Sequence, residues 1–484
     1  MDGERVLVLR QAELGPRLRL RRRLLVATAC AHSALTLRVA LVRPVVHTTD
    51  WLGLDEAGLL FLTLTSVLFL VVAFYAVYYL RQEARSAQTA TQPGGLFNNT
   101  PEAVFVACLL AFLATMTLVV SSRHFGLLWV AIEATTLTSA PLIYFHRHHR
   151  SLEATWKYLL LCSVGIAVAL LGNFFLAVAA KNGSGQPLAL TFGVLTSPDV
   201  HLNPPWLKAA FLLILVGFGT KMGLAPMHTW LPDAHSEAPS LVSALLSGAL
   251  LNCAFLGILR IQQVCAAAGI AAFGQDALIA FGLLSMAVAA VFILGQTDFK
   301  RMLAYSSVEH MGILILGLGL GGVGLFGSLL HAINHSLTKC LLFLVAGNIL
   351  SVYTSKSTAD VRGVLQTLPV SGALWLIGFL AITGSPPFGT FVSELLILKA
   401  ALDGGHLWVA ALYLLLLAII FISMASLVLR MVQGRTSRPV LIRESWLSVA
   451  PAAVLAGLVL ALGFYLPPFL SETLHRASVL FGGA

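Results

Sequence analysis

Charged residues are scarce in this chain. Only 11% of its 484 residues are Asp, Glu, Lys or Arg, and 58% are hydrophobic, whereas soluble domains carry roughly a quarter charged residues. Apolar runs of about 20 residues, the length that crosses a bilayer, recur along nearly the whole chain. No polar stretch is long enough to fold as a separate domain. This composition excludes a soluble enzyme and predicts one all-α polytopic domain in a lipid bilayer.

Cysteine is sparse and scattered. The six cysteines form no CxxC pair and no other spacing typical of a metal site or an iron–sulfur cluster: Cys30, Cys108, Cys162, Cys253, Cys265 and Cys340. Most lie in apolar runs, where a thiol packs like a small hydrophobic group. We therefore expect no metal, no cofactor and no catalytic redox site in this chain, so that any redox chemistry belongs to partner subunits.

We also expect the N-terminal segment not to be a cleavable signal peptide, because the apolar run after the arginines is long and contains His32 and Arg38. Apolar length, Gly and Pro punctuation and flanking charge instead predict about 13 transmembrane helices. They lie near residues 24–46, 57–80, 103–121, 125–143, 157–180, 206–224, 240–260, 271–295, 303–320, 325–350, 370–398, 407–430 and 447–467.

The basic residues predict the orientation of these helices. If the N-terminus is cytoplasmic, 20 of the 30 Lys and Arg residues fall on the cytoplasmic side. Six fall on the other side, namely Arg43, Arg123, Lys181, Lys208, Arg260 and Arg476. This asymmetry follows the positive-inside rule. The net charge of +9 is thereby explained by topology, and we expect no nucleic-acid partner.

Ionisable side chains at membrane depth are the strongest functional signal. Each costs several kcal/mol unless it is paired or hydrated, and the apolar runs contain Glu133, Lys221, Glu309, His310, His331, His335, Lys339, Glu394 and Lys399. Carboxylates, imidazoles and amines are groups whose proton affinity burial can change, so together they indicate a proton relay. A single buried histidine is more often a satisfied core residue. The i, i+4, i+8 spacing of His331, His335 and Lys339 puts three such groups on one helix face and favours the relay.

Two proline-containing stretches break predicted helices beside these charges. TKMGLAP places a glycine and a proline just after Lys221, and AITGSPPFGTFVSE places two prolines, flanked by glycines, just before Glu394. Proline frees a backbone carbonyl, which a membrane tolerates only where protein or a water-filled cavity covers it. Broken helices at corresponding places in two halves point to an ion path. A kink used only for packing is the alternative at either site.

Four motifs carry a resemblance to a known family. They are GTKMGLAPMHTWLPDAHSEAPS, QTDFKRMLAYSSVEHMG, HAINHSLTKCLLFLVAGN and ITGSPPFGTFVSELLIL. They resemble the antiporter-like membrane subunits shared by respiratory complex I, group 4 membrane-bound hydrogenases and Mrp-type cation/proton antiporters. VAIEATTLTSAPLIYFHR, SLEATWKYLLLCSVGIAVALLGNFF and SEAPSLVSALLSGALLNCAFLGILR are most similar to component F of hydrogenase-4 and its relatives.

The resemblance implies a role for each candidate. Glu133 and Lys221 would form the pair of the first half-channel, and His228, from the same motif as Lys221, would be a further relay residue. His331, His335 and Lys339 would form the central polar axis, and Glu394 the exit. Asn252, Glu309, His310 and Lys399 are secondary candidates. Asn252 stands where several relatives have a lysine, which would shorten or reroute the relay.

The family fold implies two inverted five-helix repeats with discontinuous helices, at 101–262 and 270–430. Residues 1–100 would form a basic N-terminal segment and peripheral helices, and 431–484 a loop, the last transmembrane helix and a tail. Many relatives have 14 core helices and an external N-terminus, so this chain departs from them by one helix.

The implied function is proton translocation in a bacterial or archaeal inner membrane, within a redox complex whose partners carry Fe–S and NiFe or related metal centres. An Mrp-like Na+(K+)/H+ antiporter subunit is the alternative. A scaffold that no longer conducts is a third hypothesis, which the number of retained charges disfavours.

Overall fold

The computed structural model describes residues 2–42, 50–89, 99–181, 185–433 and 442–482, with side chains from residue 18 onward except 85–89. Arg43 and the predicted helix end at residue 46 lie outside the described residues. The described residues form helices connected by short loops. Their bounds are α1 Asp2–Val42, α2 Glu56–Thr89, α3 Glu102–Ser121, α4 Phe125–Ile143, α5 His149–Ala179, α6 Phe192–Leu195, α7 Pro204–Met222, α8 Trp230–Glu237, α9 Ser240–Leu245, α10 Leu251–Ala267, α11 Ala271–Ile293, α12 Phe299–Leu320, α13 Gly322–Tyr353, α14 Val364–Thr367, α15 Pro369–Ile382, α16 Gly389–Asp403, α17 Leu407–Gln433, α18 Trp446–Phe464 and α19 Pro468–Leu480.

The predicted all-α membrane fold is confirmed. In the described part of the chain, 12 helices are long and apolar enough to cross a membrane. The remaining predicted span, 370–398, corresponds to the shorter apolar helix α15 and to α16, which are separated by residues 383–388. The expected number of about 13 therefore agrees with the structure.

Both predicted helix breaks are present. After α7, the chain forms a 3-10 turn, Met227–Thr229, before α8 begins. The other break separates α15 from α16. In each predicted repeat the broken element is the fourth to cross the membrane, which is the arrangement expected of inverted repeats. The boundaries of the repeats, 101–262 and 270–430, stay a prediction.

Close helix packing positions the first break. A Cβ on Gly217 of α7 would lie 2.6 Å from the backbone nitrogen of Ala169 on α5, so only glycine allows this approach. The contact brings the last turn of α7, which carries Lys221, against α5 and the neighbouring α4.

Ion pairs join several helices and one loop at one end of the bundle. The Asp233 carboxylate binds Lys157 at 2.9 Å and also binds Arg301, and Glu237 binds Lys356 at 2.9 Å. The three basic partners come from segments that the charge pattern assigned to one side of the membrane.

Candidate functional site

Lys221 is fully buried in the last turn of α7. Its Nζ donates to the hydroxyls of Thr136 and Tyr158, each at 2.7 Å, and lies 4.6 Å from the centre of the Tyr158 ring. Gly223 then ends α7 in a left-handed conformation, with φ 83°. The C-terminus of a helix favours a cation. The ammonium group is thus held by two hydroxyls, an aromatic face and a helix dipole.

Glu133 reaches Lys221 through Thr136. The Thr136 hydroxyl donates to Glu133 Oε2 at 3.3 Å, and the Ser163 hydroxyl donates to Oε1 at 2.9 Å. Among the described residues, the Glu133 carboxylate makes no direct ion pair with Lys221, so the predicted pair is indirect. A hydroxyl both donates and accepts, and Thr136 therefore connects the two charged groups in one donor chain.

His228 lies apart from this cluster. It is buried, with its ring centroid 6.2 Å from those of both Phe292 and Tyr305. Its Nδ1 has no hydrogen-bond partner among the described residues. The structure thus brings together Glu133 and Lys221 and places His228, also a predicted relay residue, apart from them.

His235, which was not among the residues predicted from the sequence, lies between the two halves. Its ring centroid is 6.2 Å from that of Trp230, and the Trp230 centroid is 4.9 Å from that of Tyr158. On its other side, His235 lies 5.7 Å from the Phe343 ring, one turn beyond Lys339 on α13. Its Nε2 is buried and unpartnered among the described residues.

Asn252 also contacts α13. Its side-chain amide donates to the Ser336 hydroxyl at 2.7 Å and to the Gly248 carbonyl at 2.8 Å. A π-helical turn at Leu246–Leu250, which the sequence analysis did not predict, precedes it between α9 and α10. Asn252 therefore lies beside the central axis, where its amide binds a hydroxyl but carries no charge.

Lys339 is fully buried in the middle of α13. Its Nζ donates to the Leu303 carbonyl at 2.6 Å and to the Ser306 hydroxyl, both on α12. Glu309, on the same helix, is also buried. Lys339 is thus hydrogen-bonded to two residues of α12, the helix that also carries Glu309, one of the secondary candidates from the sequence.

Three histidine side chains, one on α12 and two on α13, have their rings close together. The His310 and His331 rings are joined by a 2.9 Å hydrogen bond between Nδ1 and Nε2, and the His310 ring centroid lies 5.1 Å from that of His335. His331 Nδ1 bonds the Ser393 hydroxyl on α16 at 2.9 Å. Both His335 nitrogens lack a partner among the described residues. The rings connect the central lysine to the helix that carries Glu394.

Glu394 lies in the first turns of α16, next to His310 of α12 and His331 of α13. One donor atom from each of the three side chains lies within 4.8 Å of the others. The carboxylate faces the second break, because a Cβ on Gly384 would lie 1.9 Å from Glu394 Oε2. Lys399 lies elsewhere: its side chain is 57% exposed and it binds Asp403 one turn later.

A polar cavity of about 510 Å³ lies at the end of the bundle where Glu237 forms its ion pair with Lys356. Its lining includes His146, Glu237, Lys300 and Lys356. Burial lowers the pKa of His146, in the loop after α4, to about 4, so this imidazole is neutral at pH 7. Lys300 is buried and donates to the Ala238 carbonyl at 2.7 Å. Polar groups therefore line this cavity from the protein surface to the buried Lys300.

We expect Tyr158→Phe to lower proton translocation by about tenfold or more while the protein still folds. The change removes the hydroxyl that accepts from Lys221 and bonds Ser139 at 2.6 Å, but keeps the ring. Proton uptake by the reconstituted complex measures the effect. Tyr465→Phe, which removes an exposed phenol, is the control. Equal uptake by the Tyr158 variant and this control would contradict a role for the hydroxyl.

The sequence of this chain matches a known protein family. The model of the family described as "NADH:quinone oxidoreductase/Mrp antiporter, TM" matches residues 122–423. The chain belongs to this family. It is 36% identical over 432 residues to the hydrogenase-4 component F homolog of Methylacidiphilum infernorum, covering 88% of each chain.

Solved structures of low identity share the fold of this member of the NADH:quinone oxidoreductase/Mrp antiporter family. A chain of the Mrp complex from Dietzia sp. DQ12-45-1b superposes with a TM-score of 0.82 at 19% identity, over 97% of this chain and 94% of the other. A chain of respiratory complex I from Thermus thermophilus superposes with a TM-score of 0.79 at 24% identity, over 96% of each chain. Relatives of this kind are membrane subunits of multi-subunit complexes.

Proposed function

We propose that this chain translocates protons as one membrane subunit of a larger redox complex. The observation that carries the proposal is the succession of buried titratable side chains between the two broken helices. Their hydroxyl, imidazole and carboxylate neighbours can accept and return protons. The apolar surroundings make each charge costly to retain without a function.

The proposed route begins at the polar cavity and at Glu133. Thr136 connects Glu133 with Lys221, and the tilted, neighbouring rings of Tyr158, Trp230 and His235 lead toward α13. We assign to His235 the connection that a lysine at position 252 would otherwise make. Asn252 remains beside it as a group that can bind water.

The second half of the route runs from Lys339 past the histidine rings to Glu394. The hydrogen bond between His310 and His331 and the bond from His331 to Ser393 supply its contacts. Glu394 then exchanges protons with the opposite phase through the break at residues 383–388. Redox chemistry in partner subunits, with Fe–S and NiFe or related metal centres, would drive the movement, and this chain would hold no cofactor.

We also propose the inner membrane of a bacterium or archaeon as the location, with a cytoplasmic N-terminus. The excess of basic residues on that side supports the orientation. The hydrogenase-4 component F homolog, which is 36% identical over 88% of each chain, supports a hydrogenase-like complex.

Purification of the native complex tests the proposal. We expect this chain to copurify with iron–sulfur and nickel–iron proteins, and the reconstituted complex to move protons when given an electron donor, without requiring Na+ or K+. Proton movement that requires Na+ or K+ and proceeds without an electron donor would instead support the antiporter. A complex that turns over without moving protons would contradict both.

A further inference from the structure

The side chains of His310, His331 and Glu394 lie close enough together to bind one metal ion. The cysteine pattern had given no reason to expect a metal site in this chain. All three side chains are buried, and one donor atom from each lies within 4.8 Å of the other two. His310 Nε2 and Glu394 Oε1 are buried and have no hydrogen-bond partner among the described residues. The Glu309 carboxylate also lies 4.0 Å from His310 Nε2. Two buried acceptor atoms without a hydrogen bond are costly, and a cation between them would satisfy both.

The donor set selects the kind of cation. Imidazole nitrogen suits Zn²⁺ and other first-row transition metals, whereas Mg²⁺ and Ca²⁺ prefer oxygen ligands. Two histidines and one carboxylate, with a water in the fourth position, are a known zinc arrangement. We propose that His310, His331 and Glu394 bind one Zn²⁺ ion, and that the bound ion stops proton movement along the second half of the chain. The second statement rests on the proposed function, and the first does not.

A neighbouring side chain prepares the site. The Ser393 hydroxyl bonds His331 Nδ1 at 2.9 Å, which leaves Nε2 to face the metal. Such outer contacts fix the orientation of a ligating ring. Binding takes His331 Nε2 from its 2.9 Å hydrogen bond with His310 Nδ1, and each of the two rings then bonds the metal through its Nε2. A Glu394 carboxyl that carries a proton releases it when its oxygen takes the metal.

A cavity gives the ion access to the carboxylate. It has a volume of about 450 Å³ and is lined by Gly384, Ser385, Glu394 and Tyr413, among others. It lies at the helix break, where the absence of a side chain on Gly384 leaves the carboxylate reachable. A metal here would occupy the position through which Glu394 exchanges protons.

Measurement of the zinc content of the purified complex tests the site without an activity assay. The wild-type complex is stripped with a chelator, loaded with Zn²⁺ and washed, beside His310→Gln, His331→Gln and Glu394→Gln. His235→Gln, which changes a buried histidine outside the triad, is the control. We expect the wild type and the control to retain one more Zn²⁺ per chain than each triad variant. Equal retention in all of them would overturn the site.

X-ray absorption on the wild-type complex covers the case of a variant that fails to assemble. The difference between zinc-loaded and stripped samples should show nitrogen and oxygen ligands at about 2.0–2.2 Å. Sulfur ligands at about 2.3 Å would place the added zinc on cysteine and overturn the proposal.

Measuring proton translocation with and without Zn²⁺ distinguishes a failure of the metal-site proposal from a failure of the proposed function. We expect Zn²⁺ to lower translocation by the wild type about tenfold or more, and a chelator to restore it. If the triad holds zinc and translocation is unchanged, the metal site stands, and both the block and the route through Glu394 are wrong. If the triad holds no zinc while Lys221→Met abolishes translocation, the metal site is wrong and the proposed function stands.

Discussion

Replacing Lys221 with methionine is expected to lower coupled proton translocation by about a hundredfold or more, with the subunit still assembled in its complex. Methionine approaches the length of lysine but carries no proton. The donor chain from Lys221 through Thr136 to Glu133 therefore loses its first member. Proton movement per electron transferred, measured in vesicles together with subunit content, tests this expectation.

The variant should remain folded because the lost contacts have substitutes. Thr136 keeps its bond to Glu133, and Tyr158 keeps the 2.6 Å bond to Ser139. Each hydroxyl that loses one donor costs about 1–3 kcal/mol, and removal of a buried charge offsets part of that cost. Lys208→Met is the matched control, because Lys208 lies on the same helix and contacts the Phe273 ring at 5.1 Å. Normal translocation by an assembled Lys221→Met complex would refute the relay.

The broken helices were predictable because their causes are local. Gly223 and Pro226 follow Lys221 directly, and Gly384, Pro386 and Pro387 precede α16. Proline and glycine act on the backbone wherever they stand, so both breaks appear where the sequence predicted them. The i, i+4 spacing likewise predicted that His331 and His335 share a face, and their ring centroids are 6.5 Å apart.

The contacts between distant segments were not predictable in this way. Thr136 stands three residues after Glu133, so its position on the same helix face was a signal that the sequence offered. Tyr158 and Ser163 come from α5, and only the packing of α5 against α4 and α7 brings them to the charges. Ser393 and Glu394 reach the histidines only because α16 packs against α13. His235 was overlooked because a single buried histidine is usually a core residue.

The two charged residues of α16 should behave in opposite ways. Glu394→Gln is expected to lower proton translocation by about a hundredfold or more, whereas Lys399→Gln should leave most of it. Five residues separate them, so their side chains point about 140° apart around the helix. Glu394 is buried beside His310 and His331. Lys399 is 57% exposed and binds Asp403, and an exposed pair of this kind contributes only about 0–1 kcal/mol.

The pair of variants is its own control, since both remove one charge from the same helix and keep a side chain of similar polarity. Glutamine fills the space of Glu394 beside Gly384 but cannot release a proton from its amide, so the last exchange before the opposite phase is lost. Proton translocation and subunit content, measured for both variants in the same vesicles, decide the assignment. An inactive Lys399→Gln complex beside an active Glu394→Gln complex would transfer the exit to the outer face of α16, and the histidine rings would then end at a carboxylate that serves no proton transfer.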